Sequence, residues 1–117
     1  MHIKNLAFVM LGAADVDRSV AFYRDGLGLT LSGRFEDFAF LDTGSVTLVL
    51  TGELARSGSA SEEGCEVVFA VESVRAAYEA LKDRIAFANE PRLVNPQNWA
   101  VNFRDPDGHL LSLYGAR

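Results

Sequence analysis

One apolar spacing occurs twice in this chain. Val16, Val20, Tyr23 and Leu27 recur at helical intervals, and Val74, Tyr78, Leu81 and Ile85 repeat them at a constant separation of 58 residues. A strand-like apolar run precedes each helix, residues 3–11 in the first half and 65–71 in the second. Asp15 and Ser73 stand at the two N-cap positions, where a short oxygen-bearing side chain can accept an orphan backbone amide. Gly26 and Gly28 close the first helix. Each half therefore reads strand, helix, then two or three strands ending in a glycine-turn hairpin. In such a unit the helix covers one sheet face and leaves the other to a cavity or a partner.

The closing hairpin is the most legible piece. In Asp105-Pro106-Asp107-Gly108-His109 the proline presets φ, the aspartates can bond nearby amides and Gly108 supplies a positive φ. A type I turn ending in a left-handed glycine predicts a three-residue loop. It pairs Arg104 with Leu110, Phe103 with Leu111, Asn102 with Ser112, Val101 with Leu113 and Ala100 with Tyr114. Trp99, Val101, Phe103, Leu111 and Leu113 then share a core face, and Trp99 takes a core or edge role. Asn102, Ser112 and Tyr114 look out on a wetter one.

In the first half the pattern predicts strands over residues 29–35, 37–41 and 46–51. A two-residue Thr43-Gly44 loop pairs Asp42 with Ser45, Phe40 with Thr47 and Phe38 with Val49. Residues 52–64 are polar, small and without apolar period, and read as a linker or mobile loop. Residues 91–96, bounded by prolines, read as irregular. The domain organisation expected is one domain over 1–117, with a first module over about 1–52, a linker over about 53–64 and a second module over about 65–117.

A chain of 117 residues with 49% hydrophobic and 23% charged residues is globular in composition. It holds no apolar run long enough to span a bilayer, and no basic-then-apolar leader pattern. A net charge of −5 without a basic cluster argues against nucleic acid and anionic membrane as partners. Cys65 is the lone cysteine, which fits a reducing cytoplasm, and it reads as a small buried hydrophobe. His109 reads as a turn residue and His2 as a terminal one. No serine or cysteine nucleophile stands in a recognisable arrangement with a base, and no phosphate-cradling glycine loop is present.

Three passages together resemble the vicinal oxygen chelate superfamily of glyoxalases, bleomycin-resistance proteins, fosfomycin-resistance transferases and extradiol dioxygenases. They are Asp15-Val16-Asp17-Arg18-Ser19-Val20-Ala21-Phe22-Tyr23 with the following Gly26-Leu27-Gly28-Leu29, the strand-to-helix passage of residues 71–81, and residues 104–113. The first is similar to the family's D-L-x-x-S-x-x-F-Y…L-G signature and the last to its D-P-D-G-[NH]-x-x-E-L ending. The resemblance implies an α+β fold of two tandem βαβββ modules, with cup-shaped mixed sheets and helices on the outer face. It also implies a homodimer, since two modules leave open sheet edges.

The same resemblance bears on the site. Metal-using relatives converge His, Glu or Gln from the module strands. Carried across, those positions fall on Phe8, on Val49 (or Leu48 if the register slips), on Glu66 and on Ser112. One carboxylate is no metal site of that kind, so neither metal nor cofactor is expected and no catalytic residue is assigned. Instead the cavity face collects Phe8, Met10, Phe38 and Phe40, with Thr47 and Val49, from the first module. The second contributes Glu66, Asn102, Ser112 and Tyr114. An apolar, aromatic concavity with a few polar groups suits a small, planar and possibly cationic organic ligand. The function expected is metal-free binding of the bleomycin-resistance type, sequestering an antibiotic or toxin. Two alternatives stay open: a glyoxalase-like lyase or dioxygenase-like enzyme with a non-standard site, and an interaction module without a small ligand.

Overall fold

The computed structural model describes residue 1, residues 5–56 and residues 65–117. The chain divides into two compact units, Met1–Ala60 and Ser61–Arg117.

In the first unit the order is β1 (Phe8–Gly12), α1 (Val16–Val20), a π-helical stretch (Ala21–Gly26), β2 (Thr30–Phe35), β3 (Phe38–Asp42), β4 (Thr47–Thr51) and α2 (Gly52–Arg56). The sheet runs β1-β4-β3-β2, with β1 parallel to β4 and the other pairs antiparallel. Asp15 caps α1 as its side chain accepts from the Arg18 amide at 3.1 Å. After Val20 the helix widens, and the Leu27 amide donates to the Phe22 carbonyl, five residues back, at 3.0 Å. Gly28, at φ +84°, then turns the chain out. Val16, Val20 and Tyr23 are buried with Leu11, Ala39, Leu41, Leu48 and Leu50, whose even spacing puts one side of each strand beneath the helix.

The β3–β4 hairpin corrects the predicted register. Phe40 pairs with Val49 and Phe38 with Thr51, so the loop spans Thr43–Val46 rather than Thr43-Gly44 alone. Side chains stabilise the longer loop: Asp42 Oδ1 accepts from the Gly44 amide at 2.8 Å, and Thr43 Oγ1 donates to the Val46 carbonyl. The slip is two residues, and because side chains alternate with period two, the predicted faces survive it. The predicted linker is corrected at its start. Residues 52–56 form α2, whose Ala55 amide lies 3.0 Å from where a Cβ on Gly12 would stand. Residues 57–64 lie outside the described residues, as do residues 2–4 at the start of the first predicted strand.

The second unit repeats the plan: β5 (Glu66–Ser73), α3 (Val74–Leu81), β6 (Arg92–Asn95), β7 (Asn98–Arg104) and β8 (Leu110–Ala116). Its sheet order is β5-β8-β7-β6, with β5 parallel to β8. Ser73 caps α3 by accepting from the Ala76 amide at 3.0 Å. The closing hairpin has every predicted pair, and Trp99 falls opposite Gly115. Its turn is built as its residues require. Gly108 stands at φ +90°, its amide donates to the Asp105 carbonyl at 3.0 Å, and Asp105 Oδ1 accepts from the Asp107 and His109 amides, each at 2.9 Å. Val101, Phe103, Leu111 and Leu113 are buried. Phe87 packs edge-on against Phe103 at 5.4 Å and meets Tyr78 at 5.1 Å.

Residues 91–96, predicted irregular, contain the edge strand β6 with four exposed residues. Pro91 and Pro96 bound it, and proline is tolerated beside an edge strand because no ladder amide is lost. Among the described residues no helix is long and apolar enough to cross a membrane.

Candidate functional site

In each unit the sheet face opposite the helix is the one the sequence assigns to ligand, and the two faces differ in chemistry. The first is apolar. Phe8 and Met10 on β1, Val49 on β4 and Phe40 on β3 share one side through the register Phe8–Thr47, Met10–Val49, Phe40–Val49. Phe8 keeps 49% and Met10 39% of its surface exposed, while Phe38 and Phe40 are half-buried. Val49, flanked by Met10 and Phe40, is 1% exposed and forms the floor under them. Where β1 and β3 approach α2, Met10, Phe38, Thr51, Glu53 and Leu54 line a cleft of about 200 Å³. Nothing local in the sequence marked Glu53 and Leu54, because the helix carrying them lies in a stretch of loop-like composition.

The second face is mixed, with Val68 52% exposed beside a row of polar side chains. Glu66, exposed at the start of β5, accepts from Asn102 Nδ2 at 3.2 Å. Asn102 Oδ1 in turn accepts from Arg92 Nη2 at 2.8 Å and from Asn89 Nδ2 at 3.1 Å. Tyr114 is half-buried, with its hydroxyl accepting from Asn95 Nδ2 at 3.2 Å. Ser112, between Asn102 and Val68 in the ladder, is 3% exposed. The sequence assigned Glu66, Asn102, Ser112 and Tyr114 to this face, and the register puts them there. It missed Arg92 and Asn95, which reach the face from the segment 91–96 read as irregular, and Asn89, which lies just before it.

Other candidates find different places. Cys65, expected to be buried, is exposed just before β5. His109 serves the turn through its backbone, and His2 lies outside the described residues. Trp99, half-buried, has the parity of the core residues and lies under the Arg117 guanidinium, 5.4 Å from its ring centre.

A divalent metal ion requires three or four oxygen or nitrogen donors at one point. The positions that the sequence resemblance assigns to them hold a phenyl ring (Phe8), an isopropyl group (Val49), a carboxylate bonded to an amide (Glu66) and a buried alcohol (Ser112). That donor set does not fit a metal ion. Among the described residues no three His, Cys, Asp or Glu side chains are gathered.

Two βαβββ modules with matching strand orders, each with one open sheet face, define a paired-module protein. A model of the glyoxalase/bleomycin resistance protein/dioxygenase superfamily matches residues 5–113, and this chain belongs to that superfamily. It is 28% identical over 114 residues to the glutathione transferase FosA of Serratia marcescens, across 96% of this chain and 81% of that protein. The crystal structure of a glyoxalase/bleomycin resistance protein/dioxygenase from Nocardioides matches with a TM-score of 0.81 at 25% identity, over 99% of this chain and 85% of that one. Lactoylglutathione lyase from Agrobacterium tumefaciens shares the fold, with a TM-score of 0.73 at 22% identity over 97% of this chain and 94% of that one.

Proposed function

We propose that this chain is a metal-free small-molecule-binding protein that sequesters a largely planar organic ligand, in the manner of the bleomycin-resistance branch of its superfamily. One observation carries the reading: Phe8 and Met10 stand 49% and 39% exposed in register with half-buried Phe40, an apolar row on the sheet face opposite α1, which α2 covers only at its Gly12 end. Exposed apolar surface gathered in one patch marks a place that something covers. Covering it is worth about 25 cal/mol for each Å² of apolar surface removed from water, before the costs of association. Aromatic rings favour a flat partner by stacking; in the second unit, taken by itself, the exposed Glu66 carboxylate favours a cationic group. The protein acts as a homodimer: each sheet ends in edge strands, β1 and β2 in one and β5 and β6 in the other, whose open ladders a second copy can cover.

A second reading rests on the 28% identity to a glutathione transferase, in which the bound molecule is modified by a thiol. One experiment separates the two. The full chain is titrated calorimetrically with planar cations of the acridinium and phenanthridinium type. Each compound is then held with the protein, with and without glutathione, released by denaturation and weighed by mass spectrometry. The binding reading expects saturable one-to-one heat per chain, an unchanged compound, and a loss of about tenfold in affinity for Phe8→Ala. A thiol adduct formed only with protein present selects the transferase reading. No heat across the panel overturns the planar-cation form of the binding reading, and no adduct overturns transfer to these compounds.

A further inference from the structure

Two opposite charges on the open face of the second unit are held apart by an amide. Arg92 begins β6 and Glu66 begins β5, and the side chain of Asn102 on β7 touches both. A guanidinium can only donate and a carboxylate can only accept. The orientation of that amide is therefore fixed by its neighbours: Oδ1 toward Arg92 at 2.8 Å, Nδ2 toward Glu66 at 3.2 Å. Asn89 locks it, donating to the same Oδ1 at 3.1 Å and accepting from the Asn102 backbone amide at 3.1 Å. The Ala88 amide donates to the Asn102 carbonyl at 2.8 Å, so the backbone on either side of that amide is pinned as well.

Among the described residues neither Arg92 nor Glu66 forms an ion pair, and each has its one side-chain hydrogen bond with Asn102. Both are exposed. Two hydrogen bonds with one amide between them put the charged atoms roughly 6–8 Å apart. That gap is too wide for the charges to satisfy each other. It matches the span of an ammonium and a carboxylate carried on one carbon, each hydrogen-bonded outward, as in the head of an α-amino acid.

We propose that the Arg92–Asn102–Glu66 row is a subsite for the zwitterionic head of an amino-acid-like ligand, with the ligand's carboxylate on Arg92 and its ammonium on Glu66. Asn89 and Asn102 are positioning residues that set the spacing. The proposal rests on the small-molecule-binding reading and narrows it, from a planar cation to a ligand that carries both charges. It also changes the part assigned to Asn102. With both Oδ1 lone pairs and one Nδ2 hydrogen committed internally, its work is to hold the two charges rather than to grip the ligand.

The test is calorimetric titration of the full chain with phenylalanine, with phenethylamine, which lacks the carboxylate, and with 3-phenylpropanoate, which lacks the ammonium. Phenylalanine is expected to bind at least tenfold more tightly than either. Arg92→Gln should erase its advantage over phenethylamine, and Glu66→Gln its advantage over 3-phenylpropanoate; both side chains are exposed, so the fold tolerates the changes. Asn89→Ala, which keeps both charges, should weaken phenylalanine several-fold and leave the singly charged analogues unmoved, a split that lost stability alone does not produce. Equal affinity for the three compounds, an advantage that survives Arg92→Gln, or no heat from any of them overturns the subsite. If planar cations still bind while phenylalanine shows no advantage, the subsite alone falls; if neither class binds, the small-molecule reading falls with it.

Discussion

Glu36 holds φ +50° between β2 and β3, the only non-glycine residue at positive φ among the described residues. A Cβ there crowds the following carbonyl, at a cost of about 1–2 kcal/mol. Its carbonyl accepts from Arg34 Nε at 3.2 Å, a bond that glycine would keep. Glu36→Gly is therefore expected to stabilise the protein by about 1 kcal/mol, raising the melting temperature by about 4 °C in calorimetry. Asp105 is the opposite case. It is 6% exposed and its Oδ1 takes two turn amides. Asp105→Ala should cost about 2 kcal/mol in urea unfolding, since two half-buried amide donors lose their acceptor, whereas Asp105→Asn, which keeps an oxygen in place, should cost less. The residue scale is also where the sequence was least informative about the site. Phe8 and Glu66 could be placed from strand parity, but Arg92 and Asn89 join Asn102 through a long-range register that no local pattern announces. Val49 and Ser112 are correctly faced and nonetheless buried, because the size of register neighbours, not parity, decides exposure.

Elements were legible where turn chemistry pins them. Asp-Pro-Asp-Gly admits one loop, so β7 and β8 pair as read, while Asp42-Thr43-Gly44-Ser45 admits two loop lengths and the longer one forms. The edge strand β6 was illegible for a physical reason: with all four residues exposed it has no buried face, hence no alternation to detect. The helix α2 is a single short turn held by packing, with the Glu53 amide on Thr51 Oγ1 at 3.1 Å, and it needs no apolar period of its own. The parallel pairing of β5 with β8 depends on a glycine. The register shifts between Val71 and Ser73, and a Cβ on Gly115 would run into the Val71 carbonyl oxygen. Gly115→Ala must push the two strands apart at the bulge, and the expected loss is about 3 kcal/mol or more, read as an earlier urea midpoint. An unchanged midpoint would show that the strands are not in this register.

At the scale of the molecule, one plan is used twice and finished differently. Both units order their strands with the first beside the last, and both seat a helix on one side of the sheet. The repeated apolar spacing specifies that side in both, which is why the fold could be read from sequence. The open sides are under no such common constraint and have diverged, one to Phe8, Met10, Phe38 and Phe40, the other to Glu66, Asn102, Arg92 and Tyr114. On the proposed reading their chemistry serves molecular recognition, and the positions that the sequence resemblance assigns to metal donors carry a ring, a branched alkyl group, an amide-bonded carboxylate and a buried hydroxyl. The most direct measurement of that claim is calorimetric titration of the chelator-free full chain with Zn²⁺, Mn²⁺, Ni²⁺ and Fe²⁺, alongside its metal content as purified. The account predicts no stoichiometric ion and no saturable heat. One ion per chain, bound with a defined affinity, would contradict it and would make this member a metal enzyme.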